Sequence, residues 1–257
     1  MSYKCGEYRI IAKKALAKDI YSFTVLCPDA AKLAECGQFV HILAPGFTLR
    51  RPISICEIDR KAGTLRLVFL VKGKGTAAIA RLNEGDMLDM IAPLGKGFSV
   101  HEASAGKRVI VVGGGIGVPP MLGTAQHCKD VTAILGFRSY GNIILADEFK
   151  AVCNDVIICT DDGSVGEKAI VTAPLRRELE KGDVGAVFSC GPTRMLGAVA
   201  ELTKEYGVFC EVSLEERMGC GVGACVGCVA RISRNGEEKL LRVCKEGPVF
   251  NAEEVLF

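Results

Sequence analysis

A continuous apolar run, a glycine-rich turn and a pair of prolines follow one another in Val109-Ile-Val-Val-Gly113-Gly114-Gly115-Ile116-Gly117-Val118-Pro119-Pro120-Met121. This order predicts a buried strand, a tight turn and the first turn of a helix, where proline is tolerated. Glycines in such a turn let the backbone approach a diphosphate, and the positive end of the helix dipole favours its charge. Because the stretch is not a strict GxGxxG fingerprint, tight packing would explain its glycines equally well. We take Gly113, Gly115 and Gly117 as candidate nucleotide contacts.

Downstream of this stretch, strand and helix patterns alternate. Buried strands are predicted at residues 133–137, 156–159 and 186–190, and helices at residues 168–180 and 193–206. Strands that alternate with helices predict a parallel, doubly wound α/β domain. At the end of the last of these strands lie Cys190, Gly191 and Pro192. The 160–164 loop follows the strand at residues 156–159. Since the carboxyl ends of parallel strands share one edge, we expect both loops beside the glycine turn.

Upstream, short alternating runs are divided by turn residues, which predicts an antiparallel β-barrel or sandwich. The six runs are residues 8–11, 20–26, 39–42, 53–57, 65–71 and 87–91. One short helix is expected at residues 77–82, after a glycine-rich loop. We therefore expect a β-barrel domain at residues 1–100, an α/β nucleotide domain at residues 101–211 and a C-terminal segment at residues 212–257.

Composition narrows the classes of function. The chain has 257 residues, with 32 Lys and Arg against 30 Asp and Glu, and it has no Trp. A net charge of +2 gives no strong field for nucleic acid or for an acidic membrane. The N-terminal residues lack the apolar core of a secretory signal, and glycines and prolines interrupt the 109–122 run before it could cross a bilayer. We expect a cytoplasmic protein with no nucleic-acid or membrane partner.

Thirteen cysteines need an explanation in a chain that we expect in the reducing cytosol. Nine are scattered singly, and we expect most of them to be small buried apolar side chains. The other four form Cys220-x4-Cys225-x2-Cys228, with Cys244 after a further fifteen residues. This is the spacing of plant-type [2Fe–2S] sites. A structural zinc site is the alternative, although zinc ligands usually come as two short pairs.

Two short motifs in the barrel region indicate a flavin site. In Arg51-Pro52-Ile53-Ser54, the arginine can fork onto a diphosphate and the serine can bond the edge of an isoalloxazine ring. In the second motif, Lys72-Gly73-Lys74-Gly75-Thr76, the last two residues, Gly75 and Thr76, can offer N–H groups to phosphate at a helix N-terminus. Each motif alone is typical of an ordinary turn, whereas both in order within a β-rich domain make a stronger pattern. The candidate flavin site also includes the residues just before the second motif, namely Phe69, Leu70 and Val71.

Together, the three regions resemble the ferredoxin–NADP reductase superfamily, in which a barrel binds FAD and a second domain binds the nicotinamide nucleotide. Within it, the chain is similar over nearly its whole length to the electron-transfer subunits of B-type dihydroorotate dehydrogenases. The most specific matches are Leu214-Glu-Glu-Arg-Met-Gly-Cys-Gly-Val-Gly-Ala-Cys-Val-Gly-Cys228 and Arg242-Val-Cys-Lys-Glu-Gly-Pro-Val-Phe250.

The resemblance implies a heterotetramer with two FMN-containing catalytic subunits, which oxidise dihydroorotate to orotate in pyrimidine biosynthesis. The present chain would take those electrons through its [2Fe–2S] cluster to FAD and deliver hydride to NAD. We expect no catalytic acid or base in this chain. Its three histidines lie in no recognisable acid–base constellation and are expected to be surface or packing residues: His41, His101 and His127.

Other interpretations stay open at this point. The small subunit of an NADH-dependent ferredoxin:NADP or sulfide-type oxidoreductase shares this architecture. Its first cluster ligand is often aspartate, so Cys220 favours the pyrimidine enzyme. Arg138 stands where an acidic residue would accept the ribose of NAD, which mildly favours NADP. An isolated NADH diaphorase and a zinc-stabilised binding module without a redox function are further alternatives.

Overall fold

The computed structural model describes residues 2–100 and 107–257. The N-terminal strands are β1 (Lys4–Ala17), β2 (Ile20–Leu26), β3 (Phe39–Leu43), β4 (Arg50–Asp59), β5 (Thr64–Leu70) and β6 (Met87–Leu94). They form a closed barrel in the order β1-β2-β5-β4-β3-β6, and every pair is antiparallel. Alternate side chains, including Phe23, Leu67 and Met90, point inward and fill the barrel. The six predicted strands are confirmed. Of the two predicted architectures, the structure has the closed barrel and not the sandwich.

Two short helices accompany the barrel, α1 (Pro28–Leu33) and α2 (Lys74–Ala80). The prediction of one helix was wrong, because α1 has only six residues and is too short to show a helical period. The predicted start of α2 was also three residues late. Its first turn closes through Thr76, whose hydroxyl accepts the N–H of Gly73 at 3.2 Å. This capping makes residues 74–76 helical instead of a loop.

The remaining strands are β7 (Arg108–Gly114), β8 (Val131–Phe137), β9 (Asp155–Thr160), β10 (Val184–Cys190), β11 (Phe209–Ser213), β12 (Val229–Arg234), β13 (Glu237–Arg242) and β14 (Val249–Asn251). Six of them form one sheet in the order β14-β11-β10-β7-β8-β9. The five from β7 to β11 are parallel, and β14 lies antiparallel to β11. The winding reverses between β7 and β10, and ligands of open α/β sheets bind at such a switch point.

The helices of this region are α3 (Val118–Ala125), α4 (Ala146–Val152), α5 (Thr172–Glu180) and α6 (Thr193–Glu205). Val109 and Val111 of β7 pack in one core with α3 and α4, while Ile110 and Val112 pack in another with α5 and α6. Helices on both faces confirm the doubly wound fold. The sequence pattern missed α4, and it placed the start of α5 four residues early. Among the described residues, no helix is both long and apolar enough to cross a bilayer.

The C-terminal region is divided between two structures. Strands β12 and β13 pair as a separate hairpin, whereas β14 returns to the edge of the α/β sheet. A small core joins this region to the outside of the barrel and contains Phe39, Leu94, Cys228, Cys244 and Phe250. Strand β11 runs across the predicted boundary at 211/212. The boundary at 100/101 and His101 fall beside or within residues 101–106, which lie outside the described part of the chain, so the domain limits stay predictions.

The barrel and the α/β sheet share one apolar core. Cys56 and Val68 of the barrel pack with residues of β7 and α3. Gly123 of α3 approaches the carbonyl of Cys56 so closely that a Cβ would collide with it. Beside this contact, Arg66 forms an ion pair with Glu57 at 2.5 Å. Across the interface between the barrel and the α/β sheet, here called the seam, Arg66 also pairs with Glu148 of α4 at 3.2 Å. These contacts hold strands β4 and β5 against the α/β sheet.

Candidate cofactor-binding sites

The predicted nucleotide residues meet at the switch point between β7 and β10. Gly113 and Cys190 are paired in register at the carboxyl ends of these strands. Gly117 packs against the carbonyl of Cys190 so tightly that there is no room for a Cβ. Gly115 has a φ of +54° and open space beside it. Because glycine adopts this conformation freely, the backbone at residue 115 can come close to a ligand.

The loop after β10 is packed against the same turn. A Cβ on Gly191 would lie 2.5 Å from Cε of Met195, and one on Gly114 would lie 2.5 Å from Sδ of the same residue. Pro192 is the N-cap residue of α6. The positive end of this helix dipole therefore lies at the edge where a diphosphate would bind. The predicted residues at 113–117 and 190–192 thus lie together at the switch point of the sheet.

Arg51 and Gly75, one from each predicted flavin motif, are in direct contact. A Cβ on Gly75 would lie 2.5 Å from Nη2 of Arg51, so the guanidinium occupies the space that a side chain would need. Arg51 also donates to the carbonyl of Leu49 at 2.7 Å, and its Cζ lies 5.4 Å from the ring centre of Phe47. The cation is therefore held beside the first turn of α2, whose N–H groups lack intrahelical partners. This arrangement suits a diphosphate.

The other predicted flavin residues have different surroundings. Pro52, Ile53 and Ser54 are half-buried on β4, and Ser54 pairs with Phe39 of β3. The hydroxyl of Thr76 is used in capping α2, which leaves its N–H for a ligand. The Phe69 side chain fills the barrel and meets Phe23 edge-on, with ring centres 5.2 Å apart. Phe69 can therefore offer a ligand only its backbone.

The end of β5 connects the flavin motif to the nucleotide turn. Leu70 and Ile116 pack against the same apolar core. Val71, one residue beyond the strand, donates its N–H to the carbonyl of Asp19 at 2.8 Å. A flavin at the barrel edge and a nucleotide at the switch point would therefore be neighbours.

Backbone N–H groups of the cysteine-rich loop, residues 220–228, converge on the sulfur of Cys220. The N–H groups of Ala224 and Cys225 lie 3.3 and 3.4 Å from Sγ. Burial alone would raise the pKa of Cys220, but these donors and the N–H of Val222 outweigh it and lower the pKa to about 6. Hydrogen bonds to the charged form favour the thiolate, which is the form that binds a metal.

The predicted ligands extend from the interior to the surface. Cys228 and Cys244 are each 1% exposed, and the N–H of Cys244 donates to Sγ of Cys228 at 3.4 Å. Cys225 is exposed. Within residues 2–100 and 107–257, no three His, Cys, Asp or Glu side chains converge closely enough to hold a single ion. A zinc ion gathers four thiolates around one centre, whereas a [2Fe–2S] cluster spreads four thiolates over two irons.

Arg242 and Glu246 hold the cysteine loop in place, a role that no sequence motif indicated. Nη1 of Arg242 donates to the carbonyl of Gly223 at 2.9 Å, and its Nε donates to Glu246 at 3.0 Å. The arginine lowers the pKa of Glu246. Because Cys244 lies between the two, the pair fixes the segment of the fourth ligand against the loop that carries the other three. The sequence signal for this role was an arginine and a glutamate four residues apart, with a cysteine between them.

His41 is a second residue that sequence patterns did not assign to a site. It lies on β3 opposite Pro52 of the flavin motif, and its side chain is fully buried. A Cβ on Gly221 would collide with Nδ1 of this ring, so the histidine lies directly against the cysteine loop. Burial lowers the pKa of His41 to about 4. No local pattern predicts a contact between residues so far apart in the chain.

A family model matches the C-terminal region of the chain. Residues 215–256 match the family described as the iron–sulfur cluster binding domain of dihydroorotate dehydrogenase B. The match includes all four predicted cluster ligands, namely Cys220, Cys225, Cys228 and Cys244. The iron–sulfur interpretation of the cysteine spacing is therefore supported over the zinc alternative.

Relatives extend over nearly the whole chain. The electron transfer subunit of dihydroorotate dehydrogenase B (NAD(+)) from Geobacillus thermodenitrificans (strain NG80-2) is 39% identical over 254 residues, which is 96% of each chain. The subunit of the same name from Desulforamulus reducens (strain ATCC BAA-1160 / DSM 100696 / MI-1) is 38% identical over 262 residues, 99% of each chain.

Solved structures show the same architecture. The NADH-dependent reduced ferredoxin-NADP oxidoreductase, described in terms of flavin-based electron bifurcation, has a TM-score of 0.86 at 30% identity, covering 97% of this chain and 90% of that one. Phthalate dioxygenase reductase has a TM-score of 0.62 at 20% identity, covering 93% and 77%, and supports the fold alone.

These findings confirm the fold class, the electron-transfer function and the predicted cofactors, FAD, a [2Fe–2S] cluster and NAD. Identity to the dihydroorotate dehydrogenase subunits is higher than identity to the ferredoxin-NADP oxidoreductase, and it extends from the barrel through the cysteine loop. The chain therefore belongs to the family of electron transfer subunits of dihydroorotate dehydrogenase B (NAD(+)).

Proposed function

We propose that this chain takes electrons from the FMN of a dihydroorotate-oxidising catalytic subunit and delivers them to NAD as hydride. The observation that carries the proposal is the order of the three sites. The cysteine loop packs on β3, the flavin motif lies on the neighbouring strand β4, and the end of β5 meets the nucleotide turn. When bound, the cluster supplies one-electron chemistry and FAD supplies hydride chemistry. The elements that would hold both groups are neighbours in the fold.

Each candidate residue has a role in this proposal. The cluster ligands are Cys220, Cys225, Cys228 and Cys244. The guanidinium of Arg51 and the N–H groups of Gly75 and Thr76 bind the FAD diphosphate, and Ser54 bonds the flavin ring. The nucleotide crevice is formed by Gly113, Gly115, Gly117, Cys190, Gly191 and Pro192. None of the thirteen cysteines forms a disulfide, which suits the reducing cytoplasm that we propose as the compartment of this protein.

The proposed assembly contains two copies of this chain and two FMN-containing catalytic subunits. Its docking surface is the exposed side of the cysteine loop, since electrons must enter near Cys225. Val226 is 58% exposed there and has a φ of +56°, a conformation that β-branched residues rarely adopt. Val222 is half-buried against the core that contains Cys228, so it is less suited to a contact with a partner.

Substitution of Val226 tests this surface. We expect Val226→Glu to weaken binding of the catalytic subunit by about tenfold, because a charge would replace an apolar contact worth about 1.4 kcal/mol. Affinity is measured by biolayer interferometry, and iron analysis shows that the variant keeps its cluster. Ile170→Glu is the matched control, since Ile170 is 67% exposed on the nucleotide domain. Equal affinities of the two variants would exclude this docking surface.

The proposed function is tested by dihydroorotate-dependent NAD reduction. The chain is reconstituted with FAD, iron and sulfide, with and without a dihydroorotate-oxidising partner. We expect NADH to form only when both proteins are present, and Cys225→Ser to abolish the reaction together with bound iron. Cys5→Ser is the control, because Cys5 is an exposed cysteine on β1.

Two results would contradict the proposal. Flavin reduction by NADPH without any NADH from dihydroorotate would favour the ferredoxin:NADP oxidoreductase interpretation. Full NADH oxidation without a partner, unchanged when the partner is added, would favour an isolated diaphorase.

A further inference from the structure

His41 has a buried ring without hydrogen bonds. Neither Nδ1 nor Nε2 has a partner of good hydrogen-bond geometry among the described residues, although main-chain groups of Cys220 and Arg50 lie near the ring, and the side chain has 0% exposure. Most buried polar side-chain atoms in proteins are paired, because an unpaired one loses its bonds to water without compensation. The ring nitrogens therefore need a hydrogen-bond partner that is not one of the protein's own side chains.

The surroundings of His41 identify the direction in which that partner lies. Side chains alternate along β3, so Val40 and Ile42 fill the barrel while Phe39 and His41 point to its outer face. Phe39 packs there with Cys228 and Cys244. His41 lies beside it, and Nδ1 faces Gly221, the residue directly after Cys220. Its ring is thus enclosed under the loop that carries the cluster ligands.

The charged neighbours of His41 do not satisfy its ring. Arg50 of β4 donates to the main-chain carbonyl of His41 at 3.2 Å and pairs with Asp89 of β6 at 2.8 Å. Neither of these bonds involves the imidazole, whose nearest main-chain groups belong to Cys220 and Arg50. On β4, the residue opposite His41 is Pro52, which has no N–H to offer.

We propose that His41 donates a hydrogen bond from its ring to a sulfur of the iron–sulfur cluster and so raises the reduction potential of that cluster. The inference rests on the proposed function, because the Cys220 loop must hold the cluster. Donors to the sulfurs stabilise the more negative, reduced state. Since β3 pairs with β4, this positioning residue also connects the cluster to the strand that carries the flavin motif.

The test compares cluster potentials in the full-length, reconstituted protein. His41→Leu removes both ring nitrogens, while His41→Gln keeps an N–H donor. His127→Leu is the control. His127 lies just after α3, and its Nδ1 is already hydrogen-bonded to the carbonyl of Gly123 at 2.7 Å. Potentials are measured by spectroelectrochemical titration, after iron, sulfide and FAD contents have been matched.

We expect His41→Leu to change the reduced-to-oxidised ratio at a fixed potential by about tenfold toward the oxidised form, which equals ~59 mV for one electron. His41→Gln should recover more than half of this change, and His127→Leu should leave the potential as in the parent. A fully loaded His41→Leu with the parent potential overturns the proposal. So does an equal change in His41→Leu and His41→Gln, since that result indicates packing alone.

A second measurement serves if the Leu variant fails to hold its cluster. The parent is labelled with ¹⁵N in its histidine rings, reduced, and examined by pulsed electron paramagnetic resonance. We expect a ring ¹⁵N coupling that persists in His127→Leu and disappears in His41→Gln. A parent with a complete cluster and no such coupling overturns the role of His41. A parent without iron and sulfide would instead overturn the proposed function.

Discussion

At the scale of single residues, stability and ligand binding depend most on positions where two backbone segments approach closely. Gly117 is the clearest of these positions. It packs directly on the carbonyl of Cys190, at the point where we propose that the nucleotide binds. We expect Gly117→Ala to destabilise the chain by about 1–3 kcal/mol, as forced overlaps in packed regions do. The variant should also bind NADH more weakly, because the turn must move away from β10. Urea denaturation and NADH titration measure the two effects.

Gly141→Ala is the control for this prediction. A Cβ at residue 141 would meet nothing within 4 Å, and the backbone there needs no positive φ. We expect its stability to stay close to that of the parent. If Gly117→Ala and Gly141→Ala prove equally stable and bind NADH equally well, the close contact between the turn and β10 is not required.

At the scale of elements, a buried ion pair ties α5 to β7. Glu178 is 4% exposed, and its two carboxylate oxygens lie 2.6 Å from Arg108 and 2.6 Å from Lys181. Burial raises the pKa of Glu178, but the two cations outweigh burial and hold the pKa below its usual range. A carboxyl group of this kind stabilises the fold above its unfolded pKa, and the contribution disappears as the pH falls through the lower folded pKa.

We therefore expect Glu178→Gln to be less stable than the parent by about 2 kcal/mol at pH 7, the usual contribution of bonds to a charged group. The difference should shrink as the pH falls from 5 to 3, because the parent carboxylate then becomes protonated. Urea denaturation across this range measures it. Glu205→Gln is the control, since its pair with Arg176 is exposed and should contribute little. A pH-independent difference would contradict this account.

At the scale of the whole molecule, the seam between the barrel and the α/β sheet aligns the proposed flavin and nucleotide sites. Gly123 of α3 lies against the carbonyl of Cys56 on β4, so a side chain there must push the two parts from each other. We expect Gly123→Ala to slow flavin reduction by NADH by up to ~10²-fold, the cost of about 1 Å of misplacement. Stopped-flow absorbance of the flavin measures this rate.

Gly197→Ala is the matched control for the seam. Gly197 is also a helical glycine, but a Cβ there would lie 3.4 Å from the ring of Phe257, an ordinary contact. Its rate of flavin reduction should equal that of the parent. If Gly123→Ala keeps both the parent rate and its FAD, the seam does not control the distance between the two sites.

The amino-acid sequence by itself determined the features that contiguous residues encode. Alternation of side chains predicted all six barrel strands, apolar runs predicted the core strands β7 to β10, and spacing alone selected the four cysteines of the iron–sulfur site. Helices α1 and α4 escaped prediction. They have six and seven residues, and short helices are stabilised mainly by packing, so they show no clear period.

Only the tertiary structure decided which distant residues meet. It placed His41 under Gly221, Arg66 between Glu57 and Glu148, and Arg242 against the carbonyl of Gly223. It also brought β14 back to the α/β sheet, after a hairpin that the pattern did not separate. Local periodicity shows which face of an element is buried. The neighbour that covers this face depends on how all the elements pack together, because each contact joins chain segments with no shared local pattern.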